Sequence, residues 1–381
     1  MSRPIIDLTD DEARAGLVLK WGSIPADVLP AWVAEMDYAL DPVITETLMS
    51  LVAAGTTGYP AFGDGGIGAA YAGFARRHFG WELPEDNSVV TGDVIAGVRL
   101  ALETWTDSGP VVVHSPAYPP FFDLPALTGR ERVDLDFDPD ASRAVMDLGE
   151  LDRAFASGAR TLLLCNPHNP MGRAWTRAEL EGVRDVVVAH RAKVIADEIH
   201  GPLVLPGSTF TPYLSLPGTS DHAVCVTSAS KSFNTAGLHC GHIVSPSPEV
   251  LDVFRGVPLP QNHAFSPLGV AAAVAAYTRG DEWLSSLVER IDGQRSVLAD
   301  ALAEHLPEAR MRPLEATYLA WVDLRAYGHD DPGGLALERG RVMLGEGRHY
   351  HPDLAGHVRI NIATSPERLR EVVRRLGRAI S

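Results

Sequence analysis

Five short apolar runs punctuate the middle of the chain, at 88–91, 110–114, 161–165, 193–197 and 223–227, and each ends abruptly in polar residues. Runs this short, apolar on both faces, form strands that are buried on both sides. Between them lie stretches with helical spacing, such as 95–105 and 176–190. The second opens with Thr176-Arg177-Ala178-Glu179, a capping-box pattern. Strand and helix in alternation predict an α/β fold with a mostly parallel sheet sandwiched by helices. In such sheets ligands bind beyond the carboxyl ends of the strands. The polar residues that follow the five runs can therefore be read together, as one site.

A different pattern follows. Residues 281–306 read as one long amphipathic helix, with Trp283, Leu284, Leu287, Ile291, Val297 and Leu298 near helical spacing. Strand-like stretches at 318–324 and 357–362 come next, then a closing helix at 366–380. These predict a smaller α+β domain, and 381 residues suffice for two cores. The first forty residues show no clear period and are expected to pack with the smaller domain.

Charge and composition exclude several partners. A formal net charge of −16 argues against nucleic acid or an anionic membrane. No stretch approaches the roughly 18 apolar residues of a membrane span. The opening Met1-Ser2-Arg3-Pro4-Ile5-Ile6-Asp7 lacks the apolar core of an export signal. Cys165, Cys225 and Cys240 sit in or beside apolar runs without metal-ligand spacing, as buried thiols do in a reducing compartment. A cytoplasmic protein without a metal site is the expectation.

The last run leads into Ser228-Ala229-Ser230-Lys231-Ser232-Phe233-Asn234. A lysine is rarely placed where a buried strand ends unless its amine is used. Desolvation and nearby cations lower its pKa, and the free amine can form a Schiff base with a carbonyl. The hydroxyls of Ser228 and Ser230 could hold a phosphate beside it. After the first run, Gly92-Asp93-Val94-Ile95 is a tight turn into a helix, whose exposed amides and dipole favour a phosphate. After the second, Ser115-Pro116-Ala117-Tyr118 presents an aromatic ring suited to stacking on a flat cofactor. Asn166-Pro167-His168-Asn169-Pro170 follows the third, held extended by its prolines, and Asn169 could donate to a phenolate-type oxygen. The fourth ends in Asp197-Glu198-Ile199-His200; a carboxylate buried there is costly without a cation such as a protonated pyridine nitrogen. Taken singly, each feature has a plainer explanation: a structural turn, a packed loop tyrosine, a carboxylate capped by an amide. Together they make up the inventory needed to hold pyridoxal 5′-phosphate.

These residues resemble the fold-type I pyridoxal-phosphate enzymes, the aspartate aminotransferase superfamily. The likeness runs from Trp32-Val33-Ala34-Glu35-Met36-Asp37-Tyr38 to Val358-Arg359-Ile360-Asn361-Ile362-Ala363. The strings are most similar to those of one branch, the cystathionine β-lyase or cysteine-S-conjugate β-lyase group. That resemblance implies a large cofactor-binding domain over residues 45–280 and a small domain made of 1–44 and 281–381. It implies that Lys231 holds the cofactor and serves as catalytic base, while Asp197 pairs with the pyridine nitrogen. Asn169 would contact the phenolic oxygen and Tyr118 would stack on the ring. Ser228, Ser230 and the amides of Val94 and Ile95 would hold the phosphate, with His200 in the same pocket. Arg359 would grip the substrate α-carboxylate as a bidentate pair, with Asn169 beside it. Tyr59 would reach the phosphate of the neighbouring subunit and act there, which implies a homodimer with shared sites.

Two positions depart from the transaminase pattern. Aspartate aminotransferases usually carry tyrosine where His200 stands, and a phosphate-binding arginine where His239 stands. The lyase branch resembles this chain at both. The expected reaction is therefore β-elimination from an L-cysteine thioether, cystathionine or another cysteine-S-conjugate, giving a thiol, pyruvate and ammonia. An aminotransferase acting on an amino acid and a 2-keto acid is the alternative. His239 is expected to be a packing residue or a weak phosphate contact, and His242 a structural one. Gly345-Glu346-Gly347-Arg348-His349-Tyr350-His351 stands where the resemblance implies a Gly-rich aromatic loop near the substrate; a solvated loop is expected, with Arg348 touching the substrate as the alternative.

Overall fold

A computed structural model describes residues 3–381. Among these residues twelve strands form two sheets. In chain order they are β1 (Leu29–Ala31), β2 (Ser88–Thr91), β3 (Val111–Ser115), β4 (Arg132–Asp136), β5 (Thr161–Cys165) and β6 (Lys193–Asp197). Next come β7 (Ala223–Thr227), β8 (Gly241–Val244), β9 (Arg310–Met311), β10 (Leu319–Asp323), β11 (Val342–Glu346) and β12 (His357–Asn361).

The larger sheet has the order β2-β8-β7-β6-β5-β3-β4. Neighbours from β7 to β4 run parallel, and β8 is antiparallel to both strands beside it. Every residue of β3, β5 and β7 is buried, because helices cover both faces. Side chains alternate between two cores, as the period of a strand requires. Val111, Val113, Leu163, Ile195 and Val224 pack on one face with Val98 and Leu102 of the helix Val94–Thr104. Val112, Leu162, Leu164 and Val194 pack on the other with Leu180, Val183 and Val187 of the helix Arg177–His190. The capping box of that helix forms as predicted: Glu179 N donates to Thr176 Oγ1 at 3.3 Å, and Thr176 N to Glu179 Oε2 at 2.7 Å.

Two strands of this sheet escape the sequence pattern. β4 is an edge strand whose Arg132 and Asp136 face solvent, so it lacks an apolar run. β8 is interrupted in sequence by Gly241 and His242. His242 is fully buried and structural, with Ser88 Oγ at 3.0 Å from Nδ1 and the Tyr277 hydroxyl at 3.3 Å from Nε2.

The smaller sheet has the order β1-β11-β12-β10-β9. β1 pairs in parallel with β11, Leu29 opposite Val342. The helices Asp281–His305 and Pro366–Ile380 pack together against it through Leu287, Ile291, Leu298, Leu369, Val373 and Leu376. In the larger sheet, β4 lies on one side of β3 and β5 on the other. The chain thus reverses its direction of travel across the sheet, and a crevice opens beyond the carboxyl ends of β3 and β5.

Candidate active site

That crevice opens into a cavity of about 680 Å³. Tyr118 reaches it from the loop after β3, Asn169 from the loop after β5, and Asp197 and His200 from the end of β6. Ser230 and Lys231 come from the loop after β7, Val94 and Ile95 from the first turn of their helix, and Arg359 from β12.

The Lys231 amine donates to the carbonyl of Ala34 at 3.1 Å. Burial pushes its pKa down to about 8, with Arg359 repelling the ammonium and Glu35 and Asp197 opposing that shift. The Tyr318 hydroxyl shares the same carbonyl at 3.0 Å. Segment 33–36 is held from two directions. Asn361 Nδ2 donates to the carbonyls of Val33 and Glu35, at 2.6 and 2.7 Å. Asn234, three residues past Lys231, exchanges two 2.9 Å bonds with the backbone of Met36. It does so at φ 56°, a left-handed conformation that asparagine tolerates.

Asp197 accepts one hydrogen bond, from Ile199 N at 3.1 Å. Burial raises its pKa to about 7, so the carboxylate is poorly compensated and suited to a cation. Arg359 is 5% exposed. Its Nη1 donates to Asn169 Oδ1 at 3.0 Å and its Nη2 to the Trp32 carbonyl at 2.7 Å. The Tyr350 ring lies 4.9 Å from its guanidinium carbon, a cation–π contact. Because Asn169 accepts through Oδ1, its Nδ2 remains as a donor. His200 is buried and its pKa falls to about 3 through desolvation first, then repulsion by Lys231 and Arg359. It is therefore a neutral imidazole.

At the far end Asp93 caps the helix Val94–Thr104, accepting from Ala96 N at 2.7 Å. The first-turn amides of Val94 and Ile95 have no carbonyl a turn earlier to bond. Gly241 of β8 abuts this turn, and a Cβ there would lie 2.6 Å from the Asp93 carbonyl carbon and 2.9 Å from Val94 N. Only glycine lets β8 approach so closely. The Ser228 hydroxyl donates to the Cys240 carbonyl at 2.6 Å and accepts from Ser230 N at 3.0 Å. It braces the loop behind the cavity, and Ser230, not Ser228, is at the wall. Tyr59 is fully exposed and outside this cavity, as is the exposed His239.

This donor set fits pyridoxal 5′-phosphate. A buried carboxylate with one hydrogen bond suits the ring nitrogen, the Asn169 amide suits an anionic ring oxygen, and the helix start suits the phosphate. The Nδ1 of His200 and the Nε of Arg359 are both buried without a hydrogen-bond partner among the described residues.

The cavity also holds residues to which the sequence assigned no role. Glu35 lines it with Oε2 buried and unpartnered among the described residues. Ala34 acts through its carbonyl, which leaves no side-chain signal. The expectation for 345–351 is corrected: Gly345 and Glu346 end β11, and Tyr350 is buried beneath Arg359 because its ring covers the guanidinium. Arg348 and His349 are exposed as expected, Arg348 lying 3.7 Å from Asp330.

The family model for aminotransferase class I and II matches residues 34–376. A cystathionine beta-lyase of Corynebacterium glutamicum is 33% identical over 373 residues, 96% of this chain and 98% of the relative. Cystathionine beta-lyase PatB of Bacillus subtilis is 32% identical over 362 residues, 93% of each chain. The crystal structure of cystalysin from Treponema denticola, which contains pyridoxal 5′-phosphate, superimposes with a TM-score of 0.91 at 26% identity, over 98% of each chain. The matched span takes in every cavity wall from the Lys231 acceptor at Ala34 to Arg359, and the chain belongs to the aminotransferase class I and II family, with the fold-type I architecture of its pyridoxal-phosphate enzymes.

Proposed function

We propose that the protein is a pyridoxal-phosphate-dependent carbon–sulfur β-lyase, which eliminates a thiol from an L-cysteine thioether such as cystathionine and leaves pyruvate and ammonia. The carrying observation is Lys231: a half-buried amine at the cavity wall, its pKa brought down to about 8 by desolvation, with a guanidinium and a buried carboxylate acting on it. Relatives named cystathionine beta-lyase across nearly the whole chain support the reaction type.

When bound, the cofactor supplies an electron sink, and Asp197 favours the protonated ring nitrogen on which that sink depends. Asn169 Nδ2 donates to the ring oxygen, Tyr118 covers a ring face, and Ser230 with the amides of Val94 and Ile95 binds the phosphate. Arg359 takes the substrate α-carboxylate with its unpaired Nε–H. Lys231 removes the Cα proton as general base. The C–S bond then breaks with its electron pair leaving on sulfur. A thiolate is a good leaving group, so no strong acid is required, and Lys231 or Tyr59 can return the proton. Water is consumed as the three-carbon fragment ends as pyruvate and ammonium.

We read the assembly as a homodimer in which Tyr59 enters the neighbouring site. Tyr59 and Phe62 stand 100% and 99% exposed on one loop, and aromatic side chains so presented suit a protein interface. The large domain is taken as 45–280 and the small as 1–44 with 281–381; the strands of the larger sheet all fall inside the first range and those of the smaller sheet outside it. No helix among the described residues is long and apolar enough to cross a membrane. The three cysteines are free and buried, which suits a reducing cytoplasm.

The test is to incubate the holoenzyme with cystathionine and no keto acid. Pyruvate released over many turnovers is the expected result. Strict dependence on an added 2-keto acid would assign an aminotransferase instead.

A further inference from the structure

The small-sheet end of the cavity is walled by Leu19, Trp32, Leu337, Met343 and Leu344. This wall begins next to the guanidinium. Gly345 stands opposite Arg359 in the β11–β12 pair, Met343 and Leu344 precede it on the same strand, and Leu337 lies on the helix Pro332–Glu338 packed against β11. A substrate held by Arg359 therefore has an apolar surface within reach of whatever its sulfur carries.

The charged groups around the cavity are unbalanced. Its lining includes the carboxylates of Glu35, Asp93, Asp197 and Glu346. Beyond Lys231 and Arg359, the remaining basic groups are the imidazoles of His200 and His349. Burial keeps His200 neutral. His349 is at the mouth, 66% exposed, with its Nε2 3.7 Å from Glu346. A second carboxylate on the substrate would meet Glu35 and Glu346 and no free buried cation.

We propose that the substrates are L-cysteine thioethers bearing an uncharged, apolar group on sulfur, in preference to those, such as cystathionine, whose far end is a zwitterion. This rests on the lyase reading. The carboxylate of a zwitterion laid against leucine and methionine loses hydration without gaining a cationic partner. An alkyl chain gains about fourfold in binding for each methylene it buries there.

The measurement is kcat/KM of the holoenzyme, followed by pyruvate release, for S-methyl-, S-ethyl-, S-propyl- and S-butyl-L-cysteine and for cystathionine. The expected result is a rise of about three- to fourfold per methylene, with the S-butyl compound above cystathionine by roughly tenfold or more. Leu337→Ala and Met343→Ala should each lower the ratio of S-butyl to S-methyl kcat/KM, a ratio that cancels general damage to the enzyme. A flat series with cystathionine preferred overturns the inference and leaves the lyase standing. An unchanged ratio in both variants also overturns it. No pyruvate from any thioether sinks this inference and the lyase reading together.

Discussion

Arg359 Nη1 donates to Oδ1 of Asn169 at 3.0 Å, joining β12 of the smaller sheet to the loop after β5 of the larger. One bond thereby orients two groups. It turns the asparagine amide so that its N–H faces the cavity, and it holds the guanidinium plane beside the Tyr350 ring. The grip on a carboxylate and the contact to a ring oxygen are mechanically coupled.

Arg359→Lys keeps the charge but not the fork of donors that reaches Asn169 and the Trp32 carbonyl together. Its kcat/KM for the thioether substrate should fall about 10- to 100-fold, mostly through KM. Asn169→Ala should raise KM as well as weaken cofactor binding. The double variant should be less impaired than the two single effects combined; strict additivity would show the bond to be incidental.

Lys231 must be unprotonated to attack the cofactor aldehyde. With its pKa near 8, the rate at which cofactor-free protein takes up pyridoxal 5′-phosphate should rise about tenfold per pH unit below that point and level above it. Glu35 favours the ammonium, so Glu35→Gln should move the bend to lower pH. A bend near the pH of an ordinary lysine would contradict the buried-amine reading. Lys231→Ala should abolish turnover and covalent attachment, read by mass spectrometry after borohydride reduction.

Asp197 carries the opposite kind of strain. Burial lifts its pKa to about 7, so in the cofactor-free protein the folded state holds a proton that the unfolded chain releases. Stability from this group is present in acid and is lost as pH rises from the usual carboxylate range through about 7. The cofactor-free Asp197→Asn variant should thus exceed the wild type at pH 8 by on the order of 2–4 kcal/mol, measured by urea unfolding, and the gap should narrow at pH 5. The same variant with cofactor should be nearly inactive. A wild type equally stable at both pH values would show that the carboxylate is better solvated than its burial implies.

Tyr59 can be placed by mixing two inactive dimers. If it serves the partner's site, a heterodimer of Tyr59→Phe and Lys231→Ala subunits contains one intact site. Exchange of the two variants should then restore about a quarter of wild-type activity. If Tyr59 serves its own chain, every site in the mixture stays damaged and nothing returns.

Strand-end chemistry was legible in the sequence wherever a side chain announced it. Lys231, Asp197, Asn169 and Tyr118 each follow an apolar run, and all four face one cavity. What escaped notice acts by other means. Ala34 works through a carbonyl, and Tyr350 is buried between the Arg359 guanidinium and the Trp321 ring. Ser228 looked like a phosphate ligand because hydroxyls cluster there, yet a 2.6 Å bond to Cys240 engages it. β4 has no apolar run because an edge strand needs none, and β8 has none because Gly241 and His242 make up half of its four residues.

The parallel pairing of β1 with β11 sets an order of events during synthesis. Leu29 leaves the ribosome about 310 residues before Val342, its partner, a delay of roughly 15–60 s at ordinary elongation rates. Until then Ala34, the acceptor for the Lys231 amine, sits on a segment with no sheet to join. The larger sheet is translated complete by Val244, so a nascent chain can hold its lysine and aspartate well before Arg359 exists and before β11 fixes the segment that carries the Ala34 carbonyl. Competence to turn over substrate arrives only with the last stretch of polypeptide.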